Sequence, residues 1–418
     1  MEIFSRITKD MVEYNLVHLP QLIFEVTDAC NLRCKYCAYA DIYEGYDERR
    51  SLKLSFHRAK LVIDFIYKYW SKNTSKEYKY PWRIGFFGGE PTLNMPLIRE
   101  IINYIEELPT TGCSFIYNMT TNAMLLDRYM DFFVEKEIDL LISLDGDKQG
   151  QSYRVDCQGR NSFERVFNNI KLLRDTYPDY FENHVMFNTV IHNRNGAISS
   201  SRFIKENFDK LPNLSSLSAS GVRKDKQDDF NALYRNIADD INKCKDCETF
   251  ENELFMENPN VYSIWYYLYK YSGNFFNNYS QLMFDVGKVK FPATGTCVPF
   301  AKKMFVTVQG KILQCEKIGH QFALGTVDDE NVNLDLEKVV EQHNNYIYKY
   351  INQCKKCKRQ RTCDVCVYED LEQIGNNGSC CRFVKEDEMI MENAYLLQYL
   401  DKHPELYEKI LTQVSTNQ

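Results

Sequence analysis

The stretch that decides the fold is QLIFEVTDACNLRCKYC, residues 21–37. Its first seven residues are rich in branched and aromatic side chains, which predicts a buried β-strand. Three cysteines follow at once, Cys30, Cys34 and Cys37. The strand therefore delivers three thiols at its carboxyl end, where barrel enzymes of the α/β class carry their chemistry.

Outward from this stretch, about the first 210 residues alternate between strand-like and helix-like patterns. This rhythm predicts a parallel sheet with right-handed crossovers. Five or six such units favour an α/β fold with a partial (β/α)6 TIM-like barrel over a complete eight-fold barrel. The predicted strands are 21–27, 82–87, 113–120, 138–144 and 184–191, and the predicted helices are 55–70 (with Ser55 as N-cap), 95–108, 125–136, 162–175 and 199–208.

The chain changes character after about residue 212. The segment SSLSAS (215–220) is expected to be weakly structured, and 228–258 is charged and expected to be helical. Residues 260–280 are dense in aromatics and form either a packing helix and loop or a substrate-facing groove. A hairpin is predicted in MFVTVQGKILQC (304–315), and amphipathic helices in 385–414. We expect a barrel at 15–212, a helical and aromatic linker at 213–296, a small cysteine-rich domain at 297–385 and C-terminal helices at 386–418.

Composition and hydropathy argue against two classes of protein, nucleic-acid binders and membrane-spanning proteins. The 418 residues carry a net charge of −7, which argues against a nucleic-acid binder held by phosphates. No apolar run approaches the roughly 18–20 residues of a membrane span, and the N-terminus does not resemble a signal peptide. We therefore expect a cytoplasmic protein with no nucleic-acid or membrane partner. Disulfides are rare in that compartment, so metal ligation is the leading explanation for the 15 cysteines.

The first cysteine cluster has the spacing C-x₃-C-x₂-C. Three thiolates can hold three irons of a [4Fe–4S] cluster and leave the fourth iron open to a reactant. The alternatives are a structural zinc site or buried free thiols, but zinc sites usually show paired C-x₂-C elements.

This spacing, with Tyr36 just before the last cysteine, resembles the radical S-adenosylmethionine (SAM) superfamily. The resemblance implies that the open iron chelates the amino and carboxylate groups of SAM. One electron then cleaves SAM to methionine and a 5′-deoxyadenosyl radical, which abstracts a substrate hydrogen. It also implies that Tyr36 contacts the adenine side of SAM.

A second match to the superfamily is Gly88-Gly89-Glu90 after the second predicted strand. The two glycines allow close backbone approach. By resemblance, the Glu90 carboxylate meets the ammonium group of SAM. A plain Gly-Gly turn is the alternative.

Further matches stand at other strand ends. By resemblance, Ser143 and Asp145 belong to a superfamily motif, and Ser143 and Arg154 bind the SAM carboxylate, which suits a guanidinium fork. The alternative for Arg154 is a surface salt bridge. Thr121-Asn122 and Asn188 are candidates for ribose or carboxylate contacts, or else for simple strand-end hydrogen bonds.

A second cysteine field lies downstream and comprises Cys297, Cys315, Cys354, Cys357, Cys363, Cys366 and the pair Cys380-Cys381. A zinc ribbon is the alternative for the four central cysteines, 354 to 366. The whole field resembles the SPASM domain of radical SAM enzymes, which carries two auxiliary [4Fe–4S] clusters. It departs from that family in its last interval, which is x₂ where the family more often shows x₃.

The resemblance divides these thiols between two clusters. One takes Cys297, Cys315 and Cys366, with either an open iron or a fourth ligand from Cys244 or Cys247. The other takes the remaining three central cysteines and one of the final pair, here assigned to Cys380. With the SAM cluster, the chain is expected to hold three [4Fe–4S] clusters.

The resemblance points to an enzyme that modifies a ribosomally made precursor peptide by a thioether or carbon–carbon crosslink. A reducing partner such as flavodoxin or ferredoxin is then expected. The first rival is an anaerobic sulfatase-maturating enzyme that forms formylglycine. That branch has a basic Asp where this chain has Glu316, which makes Glu316 a candidate catalytic residue. The second rival is a non-catalytic iron–sulfur or zinc scaffold. Only about 20 residues precede the first strand, so we expect leader recognition to use the barrel, the aromatic segment or a separate protein.

Overall fold

The computed structural model of the chain forms two compact units. One comprises Thr8–Asp240 and Cys297–Glu341, and the other Met1–Ile7, Ile241–Thr296 and Gln342–Gln418. The predicted segment boundaries stay predictions, and the cysteine-rich segment 297–385 contributes to both units. The structure describes residues 6–72, 81–109, 114–219, 221–242, 261, 263–265, 294–358, 363, 365–370 and 385–413.

A single mixed sheet organises the first unit, in the order β10-β9-β8-β7-β1-β2-β3-β4-β5-β6. Neighbours from β1 to β6 are parallel, as the βαβ rhythm predicts. The predicted partial (β/α)6 TIM-like fold is confirmed. The strands are β1 Gln21–Thr27, β2 Trp82–Gly88, β3 Phe115–Thr121, β4 Asp139–Ser143, β5 Val185–Ile191, β6 Pro212–Ser216, β7 Met304–Val306, β8 Lys311–Leu313, β9 Gly325–Val327 and β10 Val332–Asn333.

Helices cover the sheet with apolar faces of helical periodicity. The predicted cap of α2 is present, because the Ser55 side chain accepts a hydrogen bond from Arg58 N. At the other end of α2, Trp70 stacks on Trp82 of β2 with ring centroids 4.7 Å apart. The helices of this part are α1 Lys9–Val17, α2 Phe56–Trp70, α3 Met95–Glu106, α4 Leu126–Glu135, α5 Phe163–Thr176, α6 Pro178–His184, α7 Ala197–Phe208, α8 Gln227–Leu233 and α9 Ile237–Asn242.

Strand β6 differs from the sequence expectation, because it includes Ser215 and Ser216 of the segment expected to be weakly structured. These residues pair with Val190 and Ile191 of β5. A parallel ladder is made by backbone groups, so a polar edge strand can form without the apolar pattern that identifies buried strands. Helices α1 and α6 were also not predicted.

The hairpin of β7 and β8 lies where the sequence predicts it and continues the sheet. Residues Leu22 and Phe24 of β1 pair with Met304 and Val306 of β7 in parallel register. Gly310, in the turn, has a φ of +85°, and a Cβ there would lie 2.2 Å from the Val327 carbonyl oxygen. The hairpin therefore extends the same sheet whose strand ends carry the candidate site.

The second unit has its own small core, formed by Val261, Ile264 and Trp265 with two residues of the final helix, Leu406 and Ile410. The described part of the aromatic segment thus packs inward, and the rest of it lies outside the described residues.

No helix among the described residues combines the length and apolarity that a membrane crossing needs. The remaining helices are Leu336–Tyr348, Ile351–Cys354, Val367–Asp370, Glu386–Lys402 and Glu405–Gln413, and the last two confirm the predicted C-terminal helices.

Candidate active site

The predicted site residues of the first half meet at the carboxyl edge of the parallel strands. Thr27, which leads to the first cysteine, pairs with Gly88, and Ser143 pairs with Asn188. Because parallel strands end at a common edge, motifs distant in sequence become neighbours there.

The three clustered thiols lie directly after β1. Burial raises the pKa of Cys30 to about 11 and that of Cys34 to about 12. N–H groups face the sulfurs: Asn122 Nδ2 lies 3.8 Å from Cys30 Sγ, and Arg49 Nη2 lies 3.5 Å from Cys37 Sγ. Within the described part of the chain, no three ligand side chains converge in a ready-made metal cage. Three half-buried thiols, two of them with N–H donors toward sulfur, nevertheless form a donor set that suits an iron–sulfur cluster.

The Gly-Gly pair makes its close approach to the segment that leads to Cys30. Gly89 N donates to Thr27 O and Glu90 N donates to Ala29 O, both at 2.9 Å. A Cβ at Gly88 would lie 2.2 Å from Thr27 O, and a Cβ at Gly89 would lie 2.2 Å from Ala29 O. Only glycine permits this contact, so the pair positions the cysteine loop itself.

Glu90 is buried, and its carboxylate is held by uncharged donors. Thr92 Oγ1 and Thr121 Oγ1 donate to Oε1 at 2.6 and 2.7 Å, and Asn122 N donates to Oε2 at 2.8 Å. Burial raises the pKa of Glu90, although these bonds oppose the rise. No cation is paired with Glu90 among the described residues, so its charge is available to a ligand.

Asp145, just after β4, is also buried but is paired with a cation. Arg154 donates from Nε and Nη2 to the two carboxylate oxygens at 2.9 and 3.0 Å. The Tyr36 hydroxyl donates to Oδ2, and Val190 N donates to Oδ1 at 3.0 Å. Burial alone would raise the pKa of Asp145, but the Arg154 charge and these bonds hold it at about 2.

The surface salt bridge that was the alternative for Arg154 is wrong, because Arg154 is only 7% exposed. Its guanidinium forms a buried ion pair that uses two of its three nitrogens. Thr121 and Asn188 make strand-end hydrogen bonds, the latter by accepting from Ser215 Oγ at 2.8 Å. Ser143 is buried at the end of β4. The SAM contacts assigned to these residues stay predictions.

His192, directly after β5, was missed by the sequence reasoning. Its ring stacks on Tyr36 with centroids 5.5 Å apart and meets Tyr153 edge-on at 4.8 Å. Nδ1 accepts from Arg194 N at 3.2 Å, and Nε2 lies 3.8 Å from Asp145 Oδ2. Its position immediately after a predicted strand is the signal that could have identified it.

A cavity of about 660 Å³ opens beside the thiols. Its wall combines two of the clustered thiols with charged and aromatic side chains, so it can hold a polar molecule with apolar parts. The residues that define it include Cys34, Cys37, Tyr39, Arg49, Tyr153 and Lys226.

The second cysteine field is described only in part. Cys297 and Cys315 belong to the unit that contains the sheet, whereas the central four cysteines belong to the other unit. Glu316 pairs with Lys303 Nζ at 3.0 and 3.1 Å and has Oε2 3.7 Å from Cys315 Sγ. Burial, reinforced by the Glu316 charge, raises the pKa of Cys315 to about 12. The cluster assignments stay predictions, and Cys113, Cys244, Cys247, Cys380 and Cys381 lie outside the described residues.

The sequence model of the Radical SAM superfamily matches residues 24–196. A cysteine-type anaerobic sulfatase-maturating enzyme of Clostridium novyi (strain NT) is 34% identical over 166 residues, 39% of this chain and 42% of that protein. The match thus spans less than half of that relative. A second enzyme so described, from Clostridium perfringens (strain ATCC 13124), is 23% identical over 91% of this chain and 94% of its own length. The solved structure of native anSMEcpe with bound AdoMet shares the fold, with a TM-score of 0.59, 17% identity and coverage of 94% of this chain and 99% of that chain.

Proposed function

Residues 24–196 match the radical SAM superfamily, and from this premise we propose a function for the chain. We propose that the protein cleaves SAM reductively and uses the resulting radical to modify a peptide. The observation that carries the proposal is that three half-buried thiols and the buried Glu90 carboxylate lie at one sheet edge, and that Glu90 has no cationic partner among the described residues.

In this proposal Cys30, Cys34 and Cys37 hold three irons of a [4Fe–4S] cluster. When bound, the cluster and SAM together supply a 5′-deoxyadenosyl radical that takes a hydrogen atom from the substrate. Glu90 binds the SAM ammonium group, since its buried negative charge has only uncharged partners among the described residues.

Two other groups orient the ligand. The Tyr36 ring is held by its hydroxyl bond to Asp145 and by stacking on His192, so its face has a defined direction for the adenine. Ser143, at the end of β4, is the remaining hydroxyl candidate for the SAM carboxylate. Arg154 contributes through the Asp145 ion pair, and only its third nitrogen is left for a direct contact.

For the substrate we propose a ribosomally made precursor peptide that receives a thioether or carbon–carbon crosslink. Such a crosslink removes two hydrogens, so a second electron has to leave the substrate after the radical has taken its hydrogen. The cysteines of 297–381 support this proposal because auxiliary [4Fe–4S] clusters, two in our assignment, can accept that electron. A flavodoxin or ferredoxin supplies the first electron.

A second candidate is formylglycine formation, favoured by the whole-length similarity to the Clostridium perfringens enzyme. In that reaction Glu316 would take a proton from the substrate Cys or Ser. The Lys303 ion pair holds the Glu316 carboxylate at 3.0 Å, next to Cys315.

The test of the first step is 5′-deoxyadenosine release by anaerobically reconstituted protein. The wild type is expected to bind roughly twelve irons and to release 5′-deoxyadenosine on reduction. The triple Cys30/Cys34/Cys37→Ala variant is expected to be inert yet to keep auxiliary iron, while Cys157→Ala, at an exposed thiol, remains active. Full activity of the triple variant, or no 5′-deoxyadenosine from the wild type, contradicts the proposal.

The test of the second step is co-expression with small reading frames next to the gene, followed by mass measurement of the peptide. Loss of two hydrogens per modification supports crosslinking. Reaction of the product with an aldehyde reagent supports formylglycine formation instead. An unchanged mass contradicts both reactions for that peptide.

A further inference from the structure

We propose that Arg49 is a positioning residue for the SAM-binding cluster: its guanidinium holds the Cys37 sulfur and makes the cluster easier to reduce. The inference rests on the cluster of the proposed function and adds to it a residue that lies outside the cysteine motif.

Arg49 contacts a cysteine sulfur on one side and an aromatic ring on the other. Arg49 Nη2 donates to Cys37 Sγ at 3.5 Å. The guanidinium carbon lies 4.1 Å from the centroid of the Tyr39 ring. A cation stacked on an aromatic face and bonded to sulfur has a defined position, unlike a solvated surface arginine.

One donor of the same guanidinium lacks an acceptor. Arg49 Nε is buried and has no hydrogen-bond partner among the described residues. The nearby carboxylate of Glu25 is already occupied, because it accepts from the Tyr39 hydroxyl and from Val308 N. An unpaired buried N–H is costly, and a cluster sulfide is an acceptor that would satisfy it.

The loop that carries Arg49 is attached to the sheet on both sides of this residue. Arg50 N donates to Asp28 Oδ2 at 2.9 Å, and Asp47 N donates to His320 Nδ1 at 3.1 Å. Lys311 of β8 adds an ion pair to Asp47 at 2.7 Å. The guanidinium is therefore held before any ligand arrives, which is the condition for a precise contact.

The electrostatic consequence has a definite sign. One-electron reduction adds one negative charge to the cluster, makes and breaks no bond, and draws its electron from the flavodoxin or ferredoxin partner. A cation and N–H···S bonds at the cluster stabilise the reduced form and so raise its potential. Loss of Arg49 therefore has to lower it.

The experiment is a redox titration followed by electron paramagnetic resonance on anaerobically reconstituted full-length protein, without SAM or peptide. The SAM-binding cluster is identified by the signal that disappears in the Cys30/Cys34/Cys37→Ala variant. At a fixed potential, Arg49→Ala is expected to lower the ratio of reduced to oxidised cluster about tenfold, equal to about 59 mV for one electron. Arg49→Lys keeps the charge but lacks the planar guanidinium. Its cluster potential is expected to lie between those of the wild type and Arg49→Ala.

Arg50→Ala is the matched control. Arg50 is adjacent in sequence, but its side chain is exposed, and the only carboxylate it approaches among the described residues is Glu48, at 3.6 Å. Its removal is expected to leave the potential unchanged. An unchanged potential in Arg49→Ala, or an equal shift in both variants, overturns the proposal.

If Arg49→Ala binds no cluster, thermal unfolding of the cluster-free proteins decides. A Tm equal to that of Arg50→Ala supports a role toward the cluster, and a lower Tm assigns Arg49 a purely structural role and overturns the proposal. A wild-type protein without the titrating signal would instead contradict the proposed function.

Discussion

Glu90, at the end of β2, and Asp145, just after β4, are buried carboxylates at one sheet edge, yet their partners differ in charge. Hydroxyl and backbone N–H groups hold Glu90, whereas a guanidinium holds Asp145. Burial raises the pKa of the first, while Arg154 overcomes burial and lowers the pKa of the second to about 2. An acid with neutral partners can still attract a cation, whereas an acid already paired stabilises the fold. The comparison assigns ligand binding to the β2 end and support to the β4 end.

The largest effect is expected from Asp145→Asn, which leaves the Arg154 charge buried without its partner. We expect a loss of about 3–5 kcal/mol in the free energy of unfolding, measured by urea denaturation. Glu164→Gln is the control, since the Lys148–Glu164 pair is 65% and 66% exposed, and we expect it to cost less than about 1 kcal/mol. Equal losses in both variants would show that the β4 end is not supported by its ion pair.

The next effect concerns the backbone contact at the β2 end. Gly89→Ala places a Cβ against the Ala29 carbonyl, so we expect a loss of about 3 kcal/mol in the free energy of unfolding. Iron binding at the first cluster should fall as well, because the displaced segment leads to Cys30. Gly159→Ala is the control, because a Cβ there would enter open space and the only strain comes from its φ of +78°. We expect it to lower the free energy of unfolding by about 1 kcal/mol. Normal iron content in Gly89→Ala would contradict the positioning role of the Gly-Gly pair.

The pH dependence of stability tests the Asp145 side of the comparison. Its folded pKa of about 2 lies below the ordinary value of 3.8, so its contribution is complete above about pH 5 and is lost as the pH falls toward 2. The shift corresponds to about 2–3 kcal/mol, since one pKa unit equals about 1.4 kcal/mol. Urea denaturation of wild type and Asp145→Asn should therefore give a difference that shrinks between pH 5 and pH 2. A difference that stays constant would contradict the assigned pKa.

The smallest effect is expected from Glu90→Gln on SAM affinity. Removing the charge that we propose binds the SAM ammonium group should weaken SAM binding about tenfold, or about 1.4 kcal/mol, in equilibrium dialysis with reconstituted protein. Glu106→Gln is the control, because Glu106 lies at the end of α3 and pairs with Lys136. If Glu90→Gln binds SAM as the wild type does, the proposed role of the β2 end is wrong.

Much of the fold was predictable because its signals are local. Strand β1 and the cap of α2 follow from neighbouring residues. Strand β6 was not predictable, because its two serines belong to the sheet through backbone bonds to β5. Its stabilising partners are distant in sequence and leave no apolar pattern.

The residues of the candidate site also fall into two groups, those that the sequence predicts and those that only the structure identifies. Cys30 and Glu90 stand in motifs whose spacing is visible in the chain. Arg49 and His192 were missed because neither residue belongs to a motif. Their significance comes from contacts with Cys37 and Tyr36 that the fold creates.

By itself the sequence determined the βαβ rhythm, the three thiols after the first strand and the match of residues 24–196 to the radical SAM model, since each depends on residue type and spacing along the chain. Only the tertiary structure decided which of two buried carboxylates is free for a ligand. It also placed Arg154 on Asp145 and Arg49 on Cys37. Charge pairing depends on distances of a few ångströms between side chains, and those distances exist only once the strand ends share one edge of the sheet.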